Sequence, residues 1–158
     1  MPCRGDKIMT KDVKWPSIRI AATDKGVIDA IRSHNGRLKN INSKDLLLIA
    51  AALAVKNNVP YDEGLKKSKM SDTISYANLN GSGYREYRHY ISAIFFATKA
   101  KKDVENMKDV NDMVRNFEDY AHRGILYLKD KYLDTKDGDS ELFKNFVLLL
   151  KDSSQSAV

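Results

Sequence analysis

The chain has 158 residues, 42% of them hydrophobic and 30% charged, with a formal net charge of +6. That length suits one domain with a real core, and the balance excludes a disordered chain or a membrane-embedded one. Cys3 is the single cysteine, which excludes an internal disulfide framework and points to a reducing cytosol.

Residues 1–16 mix Pro, Gly, Lys and Asp without periodicity and read as a flexible arm ending at Trp15-Pro16. No apolar stretch follows the early positive charges, unlike a secretory signal. Ser17 to Ala22 alternates Ile18 and Ile20 around Arg19, the pattern of a short strand. Thr23 offers an N-cap to a helix carried by Val27, Ile28 and Ile31, which His34-Asn35-Gly36 ends. His34 there reads as a C-terminal cap or dipole partner.

Ser43 is the expected cap of the clearest helix, with Asp45 in its first turn. Leu46 to Val55 is apolar almost all round, as in a helix central to a core, and is about half the length needed to span a bilayer. Pro60 stops it. Residues 61–83 are less regular, with a short strand expected around Thr73 to Tyr76 and a loop at Asn80 to Gly83. A helical stripe of Tyr84, Tyr87, Tyr90, Ile91, Ile94 and Phe95 follows, fading at Lys99 to Lys102.

From Val110 one apolar face runs through Met113, Val114, Phe117, Ala121, Ile125 and Leu128 to Tyr132, about six turns. Gly124 interrupts it, at a propensity cost of roughly 1 kcal/mol that suggests a close helix crossing or a kink. Asp137 to Ser140 forms a turn and cap. Leu142, Phe143, Phe146, Val147, Leu149 and Leu150 then make a last amphipathic helix before a polar tail at 153–158. The reading is mainly α: a single helical domain over 17–152, a bundle of four to five helices with at most a minor strand pair.

Common catalytic devices are missing. No glycine-rich phosphate loop ends in Lys-Ser/Thr, and there is no dinucleotide fingerprint and no paired-cysteine zinc site. No metal or cofactor is expected. Glu118-Asp119 and Asp137 with Asp139 lack a His or Cys at ligand spacing and read as a solvated acidic face.

The charge is uneven. Residues 65–102 carry a net +6, and residues 103–158 a net −4. A field of that sign attracts polyanions, and nucleic acid is the commonest in a cytosol. Lys66, Lys67, Lys69, Arg85, Arg88, Lys99, Lys101 and Lys102 are the candidate nucleic-acid contacts. On a helix Arg85, Arg88 and His89 share one side, where arginines fork onto phosphates and a half-exposed Tyr stacks on a base. The competing reading neutralises this segment with the acidic closing third, or makes both patches a protein-docking surface.

Arg115 and His122, with Asn116 after the Arg, resemble the Arg-x4–6-His signature of helical HEPN ribonucleases, whose His acts as acid or base. The competing expectation puts His122 and Arg123 at the polar edge of the long helix.

A wider resemblance covers roughly residues 17–152. Phe117-Glu-Asp-Tyr-Ala-His-Arg-Gly-Ile125, followed by Leu126-Tyr-Leu128, resembles the Phe-Glu-Glu-Tyr-Ala-Asn-Gly-Gly-Leu block of the Dnd system-associated protein 4 family. Ile18-Arg-Ile20, Ser43 to Leu53 and Tyr90 to Thr98 look like its strand, apolar Ala-rich segment and following helix. His122-Arg123 departs from its usual Asn-Gly. The resemblance implies an accessory, non-catalytic role in antiviral defence linked to DNA phosphorothioation. The implied partners are DNA and other proteins of the same system, with no membrane and with homo-oligomers left open. The sulfur chemistry itself requires cluster-ligand cysteines, which this chain does not have.

Overall fold

A computed structural model describes residues 13–99 and 109–155. The first element, β1 (Ile18–Ala21), buries Ile18 and Ala21 and leads directly into α1 (Ala22–Ser33). α1 starts two residues earlier than expected, with Ala21 in the cap position and no side chain capping it, so Thr23 is not the cap. Asp24 supplies the negative charge in its first turn. His34 closes the helix, its backbone N–H donating to the Ala30 carbonyl at 2.9 Å.

In α2 (Ser43–Lys56) the cap is Asn42, whose side chain accepts from the Asp45 N–H at 2.9 Å, rather than Ser43. The apolar run is as central as its composition implies. Leu46, Leu47, Ala50, Ala51, Leu53 and Ala54 are all buried. A single 3-10 turn at Glu63–Lys67 follows, and β2 (Met70–Ile74) then pairs antiparallel with β1, matching Ile18 to Ile74 and Ala21 to Met70. The strand thus begins three residues before the expected Thr73.

A one-turn helix α3 (Tyr76–Leu79) leads to α4 (Arg85–Thr98). The long helix α5 (Val110–Leu128) continues through a π turn at Lys129–Leu133, and α6 (Gly138–Gln155) ends the described chain. The molecule is therefore mainly helical with one two-stranded antiparallel sheet.

The core forms where α5 crosses α2. A Cβ at Gly124 would overlap the Ala50 carbonyl, so glycine is what allows the two backbones to touch. Phe117, Ala121, Ile125 and Leu128 fill the interface from α5. α4 packs on the same helix through Tyr87, whose ring meets Phe117 edge-on at 5.8 Å and whose hydroxyl donates to the Lys44 carbonyl at 2.7 Å. Burial pushes that phenol above its ordinary pKa. Asn116 donates to the Thr98 hydroxyl at 3.1 Å, tying α5 to the end of α4.

The end of the expected N-terminal arm is fastened to the domain. Asn80 accepts from the Trp15 N–H at 2.9 Å and donates to its carbonyl at 2.8 Å. Residues 1–12 lie outside the described part.

Candidate functional site

The polar face of α5 does not simply meet solvent. His122 is 5% exposed, and each ring nitrogen lies against a carboxylate: Nδ1 is 2.6 Å from Asp24 Oδ2, and Nε2 is 2.8 Å from Asp62 Oδ2. Asp24 comes from the first turn of α1. Asp62 comes from the chain after Pro60, where its other oxygen accepts from the Gly64 N–H at 3.0 Å. With both carboxylates ionised the ring donates from both nitrogens, as an imidazolium. Burial alone would lower the His122 pKa, but the hydrogen bonds and charges of Asp24 and Asp62 outweigh it and raise the value. The same contact lowers the Asp62 pKa, with the Gly64 N–H adding to the effect.

His122 is thus the pin of a strap. The segment after α2 is held onto α5 by Asp62 and, one position along, by Arg123. The Arg123 guanidinium forks onto Asp119, lies 4.4 Å from the Tyr120 ring and 5.2 Å from the Tyr61 ring, and reaches the Val59 carbonyl. The expectation that His122 and Arg123 sit at a polar edge is corrected: three chain segments converge on them.

This geometry bears on the HEPN-type reading. Both His122 nitrogens are committed to carboxylates, so neither has a lone pair with which to take a proton from a ribose hydroxyl. Asn116 is committed to Thr98, and Arg115 is engaged by Glu118, donating from Nη1 at 2.6 and 2.7 Å. Arg115 and His122 are thus held by different carboxylates, Arg115 by Glu118 and His122 by Asp24 and Asp62. Among the described residues no His, Cys, Asp and Glu group is placed to hold a metal ion.

Glu118 also corrects the solvated acidic face. It is buried, and it accepts from the Arg19 backbone N–H at 2.8 Å, from Arg19 Nε and Nη2 at 3.2 Å each, and from Arg115. A buried carboxylate surrounded by donors in this way is satisfied and fixed.

The predicted basic residues are placed as follows. Lys66, on the 3-10 turn, pairs with Glu63 at 3.2 Å. Lys67 and Lys69 are exposed just beyond it. Arg85 is exposed at the start of α4, but Arg88 is turned inward, donating from Nη1 to the Leu79 and Gly81 carbonyls at 2.6 and 3.1 Å. Arg88 braces the loop before its own helix, which corrects its assignment to a free basic side. Lys99 is exposed at the far end of α4, about 20 Å from Arg85 at helical rise. Lys101 and Lys102 lie outside the described residues. The cations therefore spread along the molecule and do not form one cluster.

Among the described residues, carboxylates of the closing third pair with other cations. Glu118 serves Arg19 and Arg115, Asp119 serves Arg123, Asp130 serves Lys131, Asp134 serves Lys129, and Asp139 serves Arg37. Lys67, Lys69, Arg85 and Lys99 make no ion pair among the described residues.

No protein-family model matches the chain, and no curated protein or solved structure matches it either. No helix of the described residues is long and apolar enough to cross a membrane.

Proposed function

We propose that this protein is a non-catalytic accessory subunit that holds DNA by its backbone, within an antiviral defence system linked to DNA phosphorothioation, alongside a larger partner protein. One observation carries the DNA half of the reading. Lys67, Lys69, Arg85 and Lys99 are exposed and make no ion pair among the described residues, while Glu118 is committed to Arg19 and Arg115 and Asp119 to Arg123. Unmatched cations spread over a surface suit a polyanion whose charges are also spread out, and they read position rather than sequence. The accessory role is supported by the order of family-like blocks along the chain. The shared glycine of the Phe117 to Ile125 block, Gly124, sits at the crossing that organises the core. The defence-system setting and the partner protein rest on the resemblance alone.

The test is fluorescence anisotropy of a labelled duplex with the whole chain. Affinity should fall steeply with salt, with a log–log slope of about −0.9 per phosphate contacted. Replacing Lys67, Lys69, Arg85 and Lys99 with Gln, singly and together, should flatten that slope stepwise. An affinity that holds steady between low and moderate salt would remove backbone binding from the proposal.

A further inference from the structure

Between β1, the 3-10 turn and α5 lies a cleft of about 390 Å³, lined by Arg19, Tyr61, Lys66, Met70 and Arg115 with Glu118 at its floor. Two guanidiniums share the single Glu118 carboxylate, so a positive charge is left over at the floor. The other carboxylate on the wall, Asp119, is already forked by Arg123. Lys66 adds a cation at the rim, its partner Glu63 standing out in solvent.

The donor geometry is specific. Arg115 uses only Nη1 on Glu118, which leaves Nε and Nη2 without a partner among the described residues. Arg19 uses Nε and Nη2, which leaves Nη1. Glu118 therefore fixes both planes from behind while N–H groups remain unused. A guanidinium braced by a buried carboxylate loses little side-chain freedom when it grips a second anion, and its fork matches phosphate oxygens. The cleft volume falls within the range of small-ligand sites and accommodates one nucleotide unit.

We propose that Arg19 and Arg115 together form a phosphate-binding site, and that its ligand is a backbone phosphate of the nucleic acid. This rests on the DNA-binding reading and adds two residues to it. Lys67 and Lys69 alternate in the chain with the lining residues Lys66, Ser68 and Met70, which brings two further cations to the same segment.

The experiment compares Arg19→Gln, Arg115→Gln and Arg115→Lys with the unaltered chain. Duplex affinity is measured across salt, thermal melting is measured alongside, and AMP and inorganic phosphate are titrated while NMR follows the arginine Nε–H signals. Each Gln variant should bind duplex about five- to tenfold more weakly, with a salt slope shallower by roughly one contact. Arg115→Lys should fall between, keeping the charge and losing the fork. A variant that melts lower but keeps the full salt slope would show the arginines to be structural only and overturn the site. If the unaltered chain and all variants bind duplex equally, the site is wrong and the DNA reading stands. Should duplex fail to bind while AMP or phosphate shifts the Arg115 signal, the phosphate site holds for a small ligand and the DNA reading falls. Should nothing bind, both fall.

Discussion

His122 shows how one side chain can serve structure while resembling chemistry. Its ring is charged because two carboxylates hold it, and the sign of its pH dependence follows from that. The folded pKa is raised above the ordinary 6.5, so the stabilisation is complete below 6.5 and is lost as pH rises through the folded value. The Asp62 pKa is lowered below the ordinary 3.8, so its share is present above 3.8 and is lost as pH falls through the folded value. The strap is therefore tightest between those two ordinary values. Urea midpoints measured across pH should decline on the alkaline side, and Asp62→Asn should move that decline to lower pH by removing one of the two carboxylates. Superimposable profiles for the two proteins would mean that His122 is not the titrating pin. Nothing near His122 in the sequence announces this role. Asp24 and Asp62 stand 98 and 60 positions away, and no periodicity links such distant residues. The Arg-x6-His spacing was legible, but it carried no sign that two distant carboxylates hold the histidine. A carboxylate in the first turn of α1 was visible too, though it reads as a dipole partner before it reads as a histidine's acceptor.

At the scale of elements, the α2–α5 crossing is where local pattern and tertiary contact agree. The 3.6-residue spacing of apolar positions on α5 and the alanines of α2 were readable because both are repeated locally. Gly124 gave its meaning away because a glycine in a long helix costs propensity that some contact must offset. That leads to a paired prediction using one substitution at two sites. Gly124→Ala would drive a methyl into the Ala50 carbonyl, a backbone atom that cannot step aside, and should destabilise the protein by about 1–3 kcal/mol despite the better helix former. Gly26→Ala, inside α1 with nothing within 4 Å of the new Cβ, should instead stabilise it by up to about 1 kcal/mol. Urea unfolding measures both. Two changes of the same sign would mean that the crossing is looser than the contact indicates. Helix starts were less legible, and for a physical reason. Whether Asn42 or Ser43 caps α2 depends on which side chain reaches the Asp45 N–H, and neighbouring polar residues compete for that role.

Across the whole molecule, charge is handled in two separate ways. Glu118, Asp119, Asp130, Asp134 and Asp139 are matched within α5, on the turns after it, or by Arg19 and Arg37 near the start of the chain. Of the cations in the middle, Lys67, Lys69, Arg85 and Lys99 make no ion pair among the described residues. Composition alone showed the imbalance between segments, but it could not show which partner each acid takes, because that depends on which faces the helices bring together. The consequence is that salt should separate binding from folding. The pairs Arg37–Asp139, Lys66–Glu63, Lys129–Asp134, Lys131–Asp130 and Lys144–Glu141 are exposed and worth about 0–1 kcal/mol each, so screening them changes stability little. Binding is different, since each phosphate contact releases counterions. With Arg19, Arg115, Lys67, Lys69, Arg85 and Lys99 engaged, raising salt from about 50 to about 200 mM should weaken duplex binding about 10³-fold. The melting temperature should move by no more than about 4 °C over the same range. Anisotropy and calorimetry on one set of samples give both numbers. A melting temperature that collapses along with affinity would mean that salt is loosening the fold itself, and that the unpaired cations are not the source of the binding.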